Sequence, residues 1–160
     1  MGERGNLCVH TRSWSPELSV DLREILSSVE RRGVRTPLLL RFEGILRSRI
    51  RQLVDAFEGA QQEYGHEGRY RPVYPIKVNQ ERHVVDALLR DGRERGLGLE
   101  AGSKPELLAL LTMDLGPDPL IICNGYKDAD YLEMALLAQR LGVRAVVVIE
   151  QPNEVEGLLR

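Results

Sequence analysis

Along the second half of the chain, short unbroken apolar runs alternate with apolar stripes that recur every three or four positions. Runs such as Ala145-Val146-Val147-Val148-Ile149 have the length of strands, and the stripes between them have the period of helices. The alternation predicts strand 70–77, helix 81–91, strand 97–100, helix 104–112, strand 119–123, helix 129–141, strand 144–150 and a helix starting at 153. Near-continuous apolar strands separated by helices belong to a parallel sheet, whose faces the crossover helices cover. The fold class is therefore α/β, with four βα units. A closed barrel needs eight such units and about 250 residues, so the period describes either an open sheet or half of a barrel.

The first half is patterned differently. Residues 1–16 hold glycine, charge and Ser15-Pro16 without periodicity and read as a mobile arm. Residues 17–32 carry Leu18, Leu22, Ile25, Leu26 and Val29 on one helical face, with Gly33 as the stop. The run Pro37 to Phe42 is short and apolar, hence a strand, while Ile45, Leu46, Ile50, Leu53, Val54 and Phe57 stripe a long helix that ends near Gly65. A polar loop, His66 to Arg71, leads into the repeating part. Three regions follow: an arm and helix at 1–36, an entry strand and long helix at 37–69, and the βα units at 70–160.

Chemistry enters at Val73-Tyr74-Pro75-Ile76-Lys77-Val78-Asn79-Gln80, where an apolar strand delivers one lysine to its C-terminal end just before a helix. In parallel α/β proteins that end carries the active site. A lysine held there among apolar neighbours is a candidate nucleophile for carbonyl groups; the alternative is an ordinary solvated lysine at a strand end. Glu100, at the same end one strand over, is placed to balance the charge of a Schiff-base lysine. Ser103-Lys104-Pro105-Glu106 reads first as a capping box that starts a helix. Asn124-Gly125-Tyr126-Lys127 is either a turn or part of a site, with Asp128 able to cap the helix that follows. His83 reads as a surface histidine in the first turns of a helix. Tyr70, Tyr126 and Tyr131 read as rim residues whose phenols reach water, and Met113 and Met134 as helix core fillers.

Composition removes several classes. With 22 Lys and Arg against 24 Asp and Glu, the net charge is -2, which leaves no basic excess for nucleic acid. Arg47, Arg49 and Arg51 interleave with apolar residues as a solvated helix face. The glycines at 96, 98 and 102 do not have the dinucleotide-binding spacing. Cys8 and Cys123 are far apart and have no metal-binding spacing, so no residue is assigned to a metal. The first fifteen residues lack the apolar core of a signal peptide, and no later run reaches the length of a membrane span. The expectation is a reduced, cytoplasmic protein with no membrane or nucleic-acid partner.

The octapeptide 73–80 closely resembles the lysine-bearing strand of the pyridoxal 5′-phosphate (PLP) decarboxylases of the alanine-racemase-like barrel fold, in the wording of their biosynthetic arginine branch. Gly98–Leu107, Ile121–Asp128 and Val147–Glu150 continue the likeness in the same order, and Asp21–Ile25 and Pro37–Phe42 are similar to that family's entry region. The likeness spans most of residues 19–156. It implies the N-terminal half of a PLP-binding (β/α)8 TIM-type barrel, preceded by a short arm, a helix and an entry strand and helix. It implies decarboxylation of L-arginine to agmatine and carbon dioxide, with Lys77 as the catalytic and cofactor-bearing residue and Glu100, Tyr74, Pro75 and Asn124 as cofactor-binding residues. Magnesium enters by the same likeness, as does a homo-oligomer for the full-length protein. The residues that hold the phosphate, the pyridine nitrogen and the guanidinium in that family are supplied outside this stretch, so the 160 residues alone are expected to be inactive. Ornithine or diaminopimelate as substrate, or a non-catalytic PLP-binding barrel, are the alternatives.

Overall fold

The computed structural model describes residues 5–10 and 19–159. The chain falls into two units, Met1–Arg49 and Ile50–Arg160.

In the first unit, β1 (Cys8–His10) pairs antiparallel with β2 (Ser19–Asp21), Cys8 lying opposite Asp21. The arm expected at 1–16 is thus partly a strand; residues 1–4 and 11–16 lie outside the described residues. The helix expected from residue 17 begins later, as α1 (Leu22–Arg31), and Glu17 and Leu18 lie outside the described residues. Asp21 sets that start. One of its carboxylate oxygens accepts the Arg23 N–H at 2.8 Å, as an N-cap does, and the other accepts the Asn6 side-chain amide at 2.7 Å. Pro37 to Phe42 is not a strand: an apolar run becomes one only where a neighbouring backbone supplies a ladder, and among the described residues this run has none. Next comes α2 (Glu43–Glu63), where the stripe predicts it.

In the second unit four strands form one parallel sheet in sequence order: β3 (Val73–Pro75), β4 (Gly98–Ala101), β5 (Leu120–Cys123) and β6 (Arg144–Val147). Val73 lies opposite Gly98, Leu99 opposite Ile121, and Ile121 opposite Ala145. The connecting helices are α3 (Arg82–Gly92), α4 (Lys104–Leu111) and α5 (Ala129–Arg140), and α6 (Pro152–Leu158) follows the last strand. Leu99 and Ile121 from the sheet pack with Val85, Leu107, Leu110 and Ala138 in one core, against which Met113 and Met134 are partly buried. The stripe of α2 buries Ile50 and Val54, whereas Phe57 stays half exposed and stacks on Tyr70 with ring centroids 4.0 Å apart.

Two strands are shorter than expected, each for a local reason. Pro75 has no N–H for the ladder, and after it Ile76–Val78 tightens into a 3-10 turn. That turn is fastened by the Tyr74 hydroxyl donating to the Asn79 carbonyl at 3.2 Å. In β6 the last bond to β5 is Val148 N–H to the Cys123 carbonyl at 3.0 Å; beyond it β5 has already turned away, and Ile149 and Glu150 have no ladder to join. Val146, Val148 and Ile149 leave an apolar edge exposed there. Among the described residues no helix is long and apolar enough to cross a membrane.

Candidate functional site

The C-terminal ends of the four strands bring the candidate residues together. Lys77 sits in the 3-10 turn after β3, and Glu100 is the third residue of β4, in register with Pro75. The Lys77 amine lies 3.5 Å from the Glu100 carboxylate, as their placement on adjacent strands implies. Exposure divides the pair: the Lys77 side chain is 65% accessible and that of Glu100 15%. Apolar enclosure of the lysine, expected from its neighbours in sequence, is absent here. Ile76 beside it is buried, while Val78 is exposed. Tyr74 is part-buried; burial raises its phenol above the ordinary range and the bond to Asn79 offsets this only in part.

Asn124 follows β5, two strands from Lys77. Its N–H donates to the Ala101 carbonyl at 2.8 Å, and its own carbonyl accepts the Tyr131 hydroxyl at 3.4 Å. The turn reading of this segment holds in one respect: Gly125 has φ +76, a conformation that favours glycine, and a Cβ there would stand 2.5 Å from the Gly102 carbonyl oxygen. Asp128 caps α5 by accepting the Tyr131 N–H at 3.0 Å. The Ser103 hydroxyl accepts the Glu106 N–H at 3.4 Å, while the Glu106 carboxylate takes the N–H of Gly102, one residue before the cap, at 2.8 Å.

One tyrosine departs from expectation. Tyr131 does not reach water: it is 1% exposed and its hydroxyl donates to the Ala101 carbonyl at 2.8 Å, so burial pushes its phenol well above the ordinary range. Tyr126 is exposed, as a rim residue should be. Sequence reasoning also missed the pairing of Lys127 with Glu154, whose side chains are both fully buried and 3.2 Å apart. A signal existed, because Pro152 and Glu154 open α6 as Pro105 and Glu106 open α4. The Glu154 carboxylate takes the N–H of Glu150 at 2.9 Å just as Glu106 takes that of Gly102. His83 is exposed beside Glu81.

An uncovered primary amine with a carboxylate neighbour, at the C-terminal ends of a parallel sheet, fits an aldehyde cofactor attached through nitrogen. For magnesium the fit fails among the described residues, where no group of three or more His, Cys, Asp or Glu could hold a metal ion.

Residues 50–160, the second unit, match the family described as pyridoxal-dependent decarboxylase, pyridoxal binding domain. The biosynthetic arginine decarboxylase of Prochlorococcus marinus (strain MIT 9313) is 52% identical over 141 residues, which cover 88% of this chain and 22% of that protein. That of Gloeobacter violaceus is 46% identical over 159 residues, 99% of this chain and 24% of its own length. The crystal structure of the biosynthetic arginine decarboxylase SpeA from Campylobacter jejuni superposes with a TM-score of 0.80 at 34% identity, over 86% of this chain and 23% of that one. The chain thus spans about a quarter of the length of the relatives it matches.

Proposed function

The chain belongs to the pyridoxal-dependent decarboxylase family and carries part of its pyridoxal-binding barrel, and from that premise we propose that the whole protein converts L-arginine to agmatine and carbon dioxide. PLP, when bound, supplies the electron sink that accepts the pair released as the carboxylate leaves. Lys77 is the attachment point for the cofactor. Glu100 sets its carboxylate 3.5 Å from the Lys77 nitrogen, on the side where the cofactor would be attached. Tyr74 and Pro75 fix the turn that presents Lys77, and Asn124 lines the same end of the sheet.

One observation carries the reading: the fates of the chain's three lysines. Lys127 is fully buried against Glu154. Lys104 donates to Asp128 at 2.6 Å and Asp130 at 3.2 Å, bonds that hold its amine protonated above the ordinary lysine range and so make it a poorer nucleophile. Lys77 extends two-thirds exposed from the strand ends. Arginine is favoured as substrate by the relatives above, each named for it. The same reading puts the enzyme in the cytoplasm as a homo-oligomer, supplying agmatine to polyamine and spermidine biosynthesis.

Borohydride reduction of the full-length protein with PLP, followed by peptide mapping, tests the attachment point. A label on Lys77 is expected, and a label on Lys104 or Lys127 overturns the assignment. Carbon dioxide released faster from ornithine or diaminopimelate than from arginine would overturn the substrate. Sedimentation of the full-length protein checks the oligomer.

A further inference from the structure

Lys127 and Glu154 are, among the described residues, the charged side chains that the fold takes wholly out of water. Such a pair is a poor means of gaining stability, because the attraction roughly repays the desolvation and an apolar pair of similar size would hold the fold as well. What it supplies is direction. The Glu154 carboxylate accepts the Lys127 N–H at 3.0 Å and the Glu150 N–H at 2.9 Å, while the Lys127 amine turns back to donate to the Gly125 carbonyl. Gly125 is gripped again from its other side, its N–H donating to the Glu150 carboxylate at 2.7 Å. The turn after β5 is thereby tied to the start of α6 by three contacts, and the Lys127 amine braces the turn from within.

The turn in turn bears on its neighbour. Gly125 stands so close to the Gly102 carbonyl that a methyl group would not fit between them. Tyr131 bridges the same two turns through the Ala101 and Asn124 carbonyls. Ala101 and Gly102 directly follow Glu100, the ion partner of Lys77. A continuous line of bonds and contacts therefore runs from Glu154 to the residue beside the reactive amine.

We infer that Lys127, set by Glu154, is a positioning residue of the cofactor site, holding the Asn124-Gly125 turn and through it the backbone that carries Glu100. This rests on the reading of Lys77 as the PLP attachment point. The test uses the full-length protein as wild type, Lys127→Met, Glu154→Gln and Arg71→Met, the last altering a clamp at the opposite ends of the strands. PLP affinity is measured by equilibrium titration of the apoproteins, and amide hydrogen exchange is followed in the same apoproteins without cofactor. Lys127→Met and Glu154→Gln should each weaken PLP binding by about tenfold, the scale on which supports that orient a binding group act. Exchange should rise at Asn124, Gly125 and Gly102 in these two variants. Arg71→Met should do neither, even where it lowers the melting temperature as much. Equal PLP affinity in wild type and both pair variants, or affinity lost equally in Arg71→Met, overturns the inference. Unchanged exchange at Gly102 overturns it independently of any cofactor. Should Lys127→Met not fold, Glu154→Gln carries the decision, since the amide matches the carboxylate in shape. A wild-type protein that takes up no PLP sinks the functional reading instead, and the exchange measurement still judges the clasp.

Discussion

The two ends of the same four strands are held by different chemistry. At the N-terminal ends Arg71 spans three strands in one reach, donating to the Gly96 carbonyl at 3.1 Å and to the Asp118 carboxylate and carbonyl at 3.0 and 2.8 Å. Its charge is answered on the spot, and backbone bonds from Gly98 to Pro72 and from Arg144 to Pro119 close the remaining gaps at 2.8 Å each. At the C-terminal ends the polar groups are answered in series, turn by turn, from Glu154 through Lys127 and Gly125 to Ala101. The line ends at an amine that reaches into solvent. The first arrangement fastens strands. The second ends beside an amine that stays uncovered, which is why chemistry is proposed at that end.

The largest effect should follow from removing the uncovered amine. Lys77→Ala in the full-length protein should abolish the visible absorbance of bound PLP and arginine decarboxylation. Its unfolding free energy should stay within about 0.5 kcal/mol of wild type, as for other exposed positions. A large loss of stability in urea titration would show that the two ends do not differ as described. Next is Gly125→Ala, which forces a side chain into positive φ and against the Gly102 oxygen. It should destabilise by roughly 2 kcal/mol or more and weaken PLP binding as well, by urea titration and cofactor titration together. Arg71→Met should cost about 1–2 kcal/mol and leave PLP affinity unchanged; a shift in affinity would join the two ends functionally.

The smallest effect is one of pH. Burial pushes the Glu154 carboxyl up, but the N–H groups of Glu150 and Lys127 and the Lys127 amine outweigh it, leaving the carboxyl below its ordinary value of 4.5. A carboxyl lowered on folding adds stability that is complete above that value and lost as pH falls through the folded one. The stability gap between wild type and Glu154→Gln should therefore be full at neutral pH and shrink below about 4.5. Denaturant melts at several pH values check this, and a gap that widens on acidification would reverse the sign.

The βα period was legible because these strands are apolar almost throughout, and helix starts were legible wherever a side chain caps them, as Ser103 and Asp128 do. Asp21 caps α1 in the same way, but the apolar stripe running back through Leu18 hides that start in the sequence. Pro37 to Phe42 misled because strand identity lies partly in a partner that composition cannot reveal. Within the site, the nearness of Lys77 and Glu100 was legible from the strand ends, since Pro75 and Glu100 are in register on adjacent parallel strands. Lys127 was not, because lysine is so seldom buried that an Asn-Gly-Tyr-Lys turn gives no cause to look inward. The exposure of Lys77 fits the solvated alternative, for of its apolar neighbours in sequence only Ile76 is buried and Val78 is itself exposed.

Tyr131 gives this rim a chemical label of its own. Tyr64 and Tyr126 lie open to solvent, whereas the phenol of Tyr131 is shut between two turns and committed to two carbonyls. A nitrating reagent added to the folded protein should mark the first two and spare the third. Because the bridge can release Tyr131 only when the turns after β4 and β5 part, nitration at that one ring would record each opening of the rim as a permanent covalent trace, with no substrate or cofactor present.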